Sequence, residues 1–310
     1  GMYGEIMGAP IEALFFSLNK LKESGSITDQ HIARIRTLVQ EKMYYEDIID
    51  EIGDIIGNPK PLSEFIHNYG PEYRPYRFTD DTLCTVATME AILMSDDLSG
   101  PMSELFQARY RYWGQKYPDV GFGKLFRAWL LCDDPKPLYS FGNGGAMRVS
   151  PIAYVPRPYQ HHLTRESCSV SHNHPEAIRS ALAVVDSVHL AHTGHDKEFI
   201  RNHIQEHYYY DMQRSVDQIR PVYAFYSDAA RSVPESIICF LDAETPLESI
   251  DHALSLAGDT DTMAMIAGCI SEAYFKKPLT IEQQNLIETS LPPEWLDIIE
   301  KFYEKYVYLK

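Results

Sequence analysis

Two short clusters of aspartate and threonine each stand directly before a long apolar segment. The clusters are the runs Thr79–Thr82 and Gly258–Thr262. The segments that follow begin with the uncharged stretches Cys84–Ala87 and Met263–Ile270. Helices that are apolar on every side tend to be buried. We therefore expect two buried helices whose acidic N-termini point into the protein.

The clusters have two interpretations. Threonine and aspartate are common helix N-caps, and acids suit the positive end of the helix dipole, so Thr79 and Asp259 could be simple caps. Buried carboxylates, however, are costly unless they are paired or bind a metal. Neither cluster contains a Lys or Arg, and Arg77 lies just before the first cluster. Magnesium prefers hard oxygen ligands and retains waters. We predict that the two clusters meet in space and hold divalent cations.

A glycine-rich run at 142–145 is the third informative feature, with three glycines in four residues. Such a run lets backbone amides approach an anion, and a pyrophosphate fits this kind of nest beside a helix start. Most glycine-rich turns are only turns, and this one lacks the Lys-Ser/Thr ending of a P-loop. Arg148, shortly after it, is either a ligand contact or a structural arginine paired with an acid.

Histidines concentrate between residues 161 and 207 and invite a zinc interpretation. There is no HExxH motif and no accompanying cysteine pair, so we discount zinc. A lone histidine is usually a satisfied polar residue.

Four motifs, in this order, resemble the motif set of the ADP-ribosylglycohydrolase family. They are Thr79–Thr82, Gly142–Arg148, Ser171–Pro175 and Gly258–Thr262. The resemblance runs from about the N-terminus to Tyr274, and Ser232–Glu235 is also similar in place. It implies an all-α fold, a multi-helix orthogonal bundle, with a binuclear magnesium site that cleaves ADP-ribose from an acceptor. Manganese is a possible substitute for magnesium.

The resemblance also implies roles for individual residues. The expected metal ligands are Thr79, Asp80, Asp81, Asp259, Asp261 and Thr262. The expected substrate-binding residues are Gly142, Asn143, Gly144, Gly145, Met147 and His172. The expected catalytic residues are Glu12, Asp80 and Asp261.

Glu12 ends the segment Gly4–Glu12, which resembles the opening motif of the family, whose final glutamate reaches the metal centre. Glu5 stands where the family usually has an aspartate. The alternative is that Glu12 is a surface acid near a helix end. In the interpretation we favour, Glu12 carries the proton during hydrolysis.

Composition limits the partners and the compartment. The net charge of −16 argues against a nucleic-acid backbone or an anionic membrane as the main partner. The five cysteines form no CxxC pair, which fits a reducing cytosol better than a disulfide framework. No signal peptide or membrane-spanning apolar run is evident. We expect a cytoplasmic monomer.

The rest of the chain is predicted to be helical, and no strand alternation is sustained. Residues 28–56 carry helical stripes after the N-cap Thr28. We expect an exposed helical excursion at 196–220, a helix from Val233 through Leu241, and two short surface helices after Pro278. No linker divides the chain, so we predict one domain over residues 1–310.

The predicted activity is hydrolysis that releases ADP-ribose from an acceptor such as arginine, serine or a small conjugate. Two alternatives remain open. One is a non-catalytic ADP-ribose binder or a crystallin-like structural protein on the same fold. The other is a metal-dependent phosphohydrolase, which is also built from helices and aspartates.

Overall fold

The fold is all-α, as predicted. The computed structural model describes Met2, Gly4, Leu18, residues 22–23, 27–41, Ile55 and 78–308. These residues form thirteen α-helices and two 3₁₀ turns, and their β-structure is limited to one isolated bridge between Gly142 and Asp228. Glu12 lies outside the described residues. In the predicted 28–56 helical region, the structure describes residues 28–41 and Ile55, and the rest lies outside the described residues.

The helices follow one another along the chain. They are α1 (Asp29–Glu41), α2 (Asp80–Met94), α3 (Ser103–Lys116), α4 (Lys124–Leu131), α5 (Arg157–Ser169), α6 (Pro175–His192), α7 (Lys197–Tyr208), α8 (Val216–Ile219), α9 (Ala229–Asp242), α10 (Pro246–Ser255), α11 (Thr260–Phe275), α12 (Ile281–Ser290) and α13 (Pro293–Tyr306). The 3₁₀ turns are Asn143–Gly145 and Ser150–Tyr154.

The two helices that begin in the acidic clusters are buried, as their uncharged stretches Cys84–Ala87 and Met263–Ile270 predicted. Every residue from 81 to 89 in α2 and from 260 to 268 in α11 is buried. Helix α11 packs against α2, α6, α9 and α10. The N-termini of α2 and α11 therefore point into the protein.

Threonines in the middle of α2 are compatible with this burial because their hydroxyls bond the helix itself. Thr85 Oγ1 donates to the carbonyl of Asp81 at 2.8 Å, and Thr88 Oγ1 donates to the carbonyl of Cys84 at 2.9 Å. Thr88 Oγ1 also lies 2.8 Å from the hydroxyl of Tyr110 in α3. Buried polar groups are almost always hydrogen-bonded in this way.

Helix α9 begins four residues before the predicted start. The side chain of Asp228 accepts a hydrogen bond from the backbone nitrogen of Arg231 at 3.2 Å and caps the helix at its N-terminus. Pro234 therefore lies inside the helix, after its first turn, rather than opening it.

Two further segments are less exposed than predicted. In the 196–220 region, Ile200 and Ile204 of α7 are fully buried. In the C-terminal region, Trp295 and Phe302 of α13 are almost completely buried, and α13 packs against α2. Their apolar side chains recur at helical spacing, which turns one face of each helix toward the core.

None of the described helices has both the length and the apolar character needed to cross a membrane.

Candidate active site

The two acidic clusters meet at the N-termini of α2 and α11. Thr262 Oγ1 lies 3.3 Å from Asp81 Oδ2, and Thr79 Oγ1 lies 3.3 Å from the same oxygen. Both hydroxyls donate to the carboxylate. Asp81 is 2% exposed, so this junction is shielded from solvent. The expected meeting of the clusters is therefore observed.

Helix capping explains one of the clusters and not the other. The backbone nitrogen of Asp81 donates to Thr79 Oγ1 at 3.4 Å, so Thr79 caps α2 as well as contacting the Asp81 carboxylate. Asp259 directly precedes α11, but its side chain makes no capping hydrogen bond. Its Oδ2 instead accepts a hydrogen bond from Asn143 Nδ2 at 2.7 Å. A capping role alone does not account for Asp259.

The surroundings of Asp259 strongly affect its protonation. Burial, reinforced by the neighbouring Asp261 and Asp80, raises the pKa of Asp259 well above its usual range. The hydrogen bond from Asn143 acts in the opposite direction. Several buried acids held this close together favour a bound cation, because a positive charge would offset their mutual repulsion.

The donor atoms at the junction suit a hard cation. The expected ligands Thr79, Asp80, Asp81, Asp259, Asp261 and Thr262 offer only oxygen atoms, which magnesium and manganese accept and zinc uses less readily. Within the described residues, no three His, Cys, Asp or Glu side chains form a ready-made cage for a metal. Magnesium usually keeps several waters and takes few protein ligands, so the residues present fit it.

Asp80 stands at the edge of the junction and is partly exposed. Its backbone nitrogen donates to the carbonyl of Val120 at 2.9 Å, which attaches the start of α2 to the loop between α3 and α4. Asp80 is thus a less buried residue than Asp81.

The glycine-rich run forms a 3₁₀ turn beside the acidic clusters. The backbone nitrogen of Asn143 donates to Ser227 O at 3.0 Å, and that of Met147 donates to Asn143 O at 3.0 Å. The nitrogen of Gly142 donates to Ser140 Oγ at 3.2 Å. An anion nest in this run would have to use the amides of Gly144 and Gly145.

Asn143 connects this turn to the second acidic cluster. Its Nδ2 donates to Asp259 and also lies 3.2 Å from Ser232 Oγ in α9. Asn143 was predicted to contact substrate, but its side-chain nitrogen is engaged within the protein. Asn143 therefore holds the turn and the cluster together.

His172 lies beneath the turn, where the absence of a side chain at Gly144 leaves room for it. A Cβ added to Gly144 would lie 2.8 Å from His172 Nε2. Burial, with a further contribution from the charge of Arg148, lowers the pKa of His172 to about 3. The imidazole is therefore neutral at physiological pH.

Arg148 has a structural role. Among the described residues, its partners are serines and a tyrosine rather than the acid considered in the sequence analysis. It is fully buried, and its Nη2 donates to Ser167 O at 2.7 Å and to Ser171 Oγ at 2.9 Å. Its guanidinium lies over the ring of Tyr110, 4.1 Å from the centroid. The arginine thus contributes a buried positive charge below His172.

The segment 221–228 was missed by the sequence analysis. Ser227 O accepts the hydrogen bond from the backbone of Asn143, and the hydroxyl of Tyr223 donates to Arg231 O at 2.9 Å. The ring of Tyr223 lies against Gly258, where an added Cβ would be 2.5 Å from its Cε1. This segment therefore touches both the glycine-rich turn and the second acidic cluster. It contains no motif that signals such a role.

Comparisons with known proteins identify the family of this chain. The family model of ADP-ribosylglycohydrolase matches residues 1–306. The ADP-ribosylhydrolase ARH3 of Mus musculus is 27% identical over 291 residues, which cover 73% of this chain and 74% of the mouse protein. The ARH3 protein of Homo sapiens is 26% identical over 260 residues, which cover 64% of this chain and 70% of the human protein.

A solved structure supports the fold. The ADP-ribosylglycohydrolase-related protein complex has a TM-score of 0.54 and 22% sequence identity, and the match covers 76% of this chain and 82% of that chain. The match of a family model to nearly all of the sequence is the decisive finding. The chain belongs to the ADP-ribosylglycohydrolase family, and it is a glycohydrolase enzyme.

Proposed function

We propose that this chain is a magnesium-dependent hydrolase that releases ADP-ribose from a modified acceptor by cleaving the bond at the ribose anomeric carbon. Family membership supports the removal of ADP-ribose. The proposed metal dependence and site of cleavage are supported by two contacts, Thr262–Asp81 and Asn143–Asp259. These contacts bring the two acidic clusters and the glycine-rich turn together. Oxygen ligands for a cation thus lie beside a turn suited to an anion.

The cation would be held by Thr79, Asp80, Asp81, Asp259, Asp261 and Thr262. Bound magnesium supplies Lewis-acid stabilisation to the oxygen atoms that it contacts. Thr79 and Thr262 hold the Asp81 carboxylate from both clusters, and Asn143 holds that of Asp259. Carboxylates fixed in this way need little rearrangement when a ligand arrives.

Hydrolysis at an anomeric carbon passes through an oxocarbenium-like transition state. The bond from the anomeric carbon to the acceptor breaks, a water oxygen bonds to that carbon, and the acceptor leaves with a proton. Positive charge develops on the ribose, and carboxylates nearby stabilise it. We assign the stabilisation of this positive charge to Asp80 and Asp261. Asp80 is the partly exposed acid of the junction.

We assign the proton transfer to Glu12. Gly4, at the start of the Gly4–Glu12 segment, is buried against the backbone of Ala264 in α11. Ala264 follows Asp261 by three residues, so the segment begins beside the helix that carries the second cluster. This contact supports the assignment, although Glu12 itself lies outside the described residues.

Substrate binding falls to the turn and to His172. The pyrophosphate of ADP-ribose would meet the backbone of Gly144 and Gly145, with Gly142 and Met147 shaping the turn. His172 is neutral and contributes a hydrogen bond rather than a charge.

The acceptor class is an arginine or serine side chain of a modified protein, or a small ADP-ribosyl conjugate. The net charge of −16 disfavours nucleic acid and anionic membranes as partners. We propose a monomer that works in the cytoplasm.

The test is incubation with ADP-ribosylated arginine and serine peptides, with and without magnesium, followed by mass analysis of the products. We expect ADP-ribose with its pyrophosphate intact, released only when the metal is present. Phosphate released from simple esters would favour a phosphohydrolase instead. ADP-ribose that binds and raises the melting temperature, without turnover of either peptide, would favour a binding protein.

A further inference from the structure

A buried chain of hydrogen bonds runs from Arg148 through Ser171 to His172. Arg148 Nη2 lies 2.9 Å from Ser171 Oγ, and Ser171 Oγ lies 2.8 Å from His172 Nδ1. Arg148 and Ser171 are 0% exposed and His172 is 8% exposed. Nothing in the family resemblance or in the proposed reaction assigns a task to Ser171.

The direction of each hydrogen bond follows from the chemistry of the three groups. A guanidinium only donates, so Ser171 Oγ must accept from Arg148. The serine hydroxyl still has its own proton to donate. Among the described residues, Arg148 and His172 are the groups bonded to Ser171 Oγ. The hydroxyl proton is satisfied only if His172 Nδ1 accepts it, and a buried donor without an acceptor is costly.

The tautomer of His172 is then determined. In a neutral imidazole, a nitrogen that accepts a hydrogen bond leaves the proton on the other nitrogen. Nε2 therefore carries the proton. That atom faces the glycine-rich turn, since a Cβ on Gly144 would lie 2.8 Å from it and one on Gly142 would lie 3.8 Å from it.

We propose that Arg148 and Ser171 are positioning residues that fix His172 as the Nε2–H tautomer, so that the histidine presents a hydrogen-bond donor to an anionic oxygen of ADP-ribose at the turn. The donor role rests on the proposed function, whereas the tautomer does not. Because the donor is set in advance, no proton rearrangement accompanies binding. We call the hydrogen-bonded chain Arg148–Ser171–His172 the relay. Because the relay is buried, competing water is kept away from His172 Nδ1.

The test combines spectroscopy with ligand affinity. Long-range proton–nitrogen NMR of protein labelled in histidine reports the tautomer, and the His172→Gln spectrum assigns the signal. We expect Nε2–H in the wild type. We expect Ser171→Ala to give a mixture of tautomers and to bind ADP-ribose about tenfold more weakly, which is the value of one hydrogen bond. Ser171→Thr, which keeps the hydroxyl, should retain the tautomer and the affinity.

Ser169→Ala is the matched control, because Ser169 is only partly buried at the end of α5, two residues before Ser171, and its hydroxyl donates to Arg165 O. A wild-type His172 protonated on Nδ1 would overturn the proposal, whatever the behaviour of Ser171→Ala. Unchanged tautomer and affinity in Ser171→Ala would also overturn it. A wild type with the Nε2–H tautomer that binds no ADP-ribose would support the relay and contradict the proposed function.

Discussion

Asn143 donates a hydrogen bond of 2.7 Å from its Nδ2 to Oδ2 of Asp259, a residue 116 positions later in the chain. This bond joins the glycine-rich turn to the second acidic cluster. The Thr262–Asp81 contact joins that cluster to the first. Any ligand or substitution that moves one of the three elements should therefore affect the other two.

Asn143→Asp should weaken this connection. The change replaces the donor with a second carboxylate against Asp259, which leaves a buried acceptor without its partner. In the absence of divalent cations we expect the free energy of unfolding to fall by about 1–3 kcal/mol. Urea denaturation in a chelating buffer measures it. Asn285→Asp makes the same change of charge at an exposed position of α12 and serves as the control.

Gly258→Ala should displace Asp259 and the start of α11, which carries Asp261. The new Cβ would lie 2.5 Å from Tyr223 Cε1 and 3.3 Å from Met263 Sδ, so one of these groups must move. We expect the affinity for magnesium to fall about 10–100-fold, as when support around a metal ligand is lost.

Two further variants show whether Tyr223 is the cause of that effect. Combining Gly258→Ala with Tyr223→Leu should recover part of the affinity, because the smaller side chain makes room. Gly100→Ala should have no effect, since the nearest atom to its Cβ is 3.7 Å away. No recovery in the double variant would mean that Tyr223 does not hold this turn.

Asp186 of α6 should make stability depend on acidic pH. Its buried carboxylate accepts hydrogen bonds from Arg157, His161, His203 and Tyr208 at 2.6–3.2 Å. Burial alone would raise the pKa of Asp186, but the hydrogen bonds from His161, Arg157 and Tyr208 hold that pKa well below its usual range.

Because the folded pKa of Asp186 is lowered, its contribution to stability is lost at acidic pH. An unfolded aspartate has a pKa of about 3.9, so the stabilisation is complete above that value and is lost as pH falls towards the lower folded pKa. Asp186→Asn should lower the free energy of unfolding by about 3 kcal/mol near neutral pH. The difference in the free energy of unfolding between wild type and Asp186→Asn should become smaller below about pH 4. Urea denaturation across this pH range measures this difference, and a difference that does not change with pH would contradict the prediction. Asp134→Asn, at an exposed ion pair, is the control.

Glu12→Gln tests the proposed proton carrier. The amide keeps the shape of the side chain but cannot transfer a proton. We expect magnesium and ADP-ribose to bind as in the wild type while turnover falls about 10²–10⁴-fold. Calorimetry and product formation measure the two effects. Full activity in this variant would show that Glu12 does not transfer the proton and would favour an aspartate of the acidic clusters in that role.

The buried helices could be predicted because burial leaves a local signature. The stretches Cys84–Ala87 and Met263–Ile270 carry no charge, and helices that are apolar on every side tend to be buried. The meeting of the clusters followed from the cost of burying their carboxylates. The fold class came from the same patterns together with the order of the four motifs.

The segment 221–228 could not be predicted because its contacts leave no such signature. Tyr223 bonds to a backbone carbonyl and packs on a glycine, and Ser227 contributes only its own carbonyl. Nearly any sequence offers those backbone atoms. The Asn143–Asp259 bond is similar, since its partners lie far apart in the chain and become neighbours only through the packing of α9 and α11.

The most direct test of the two-cluster site is magnesium binding measured by isothermal titration calorimetry on the wild type, Asp81→Ala and Asp261→Ala. Asp297→Ala, at an exposed ion pair of α13, is the control, and circular dichroism verifies that each variant is folded. We predict tight binding of magnesium to the wild type and the control, and its loss in both Asp81→Ala and Asp261→Ala. Unchanged affinity in both of these variants would contradict a metal site built from the two clusters.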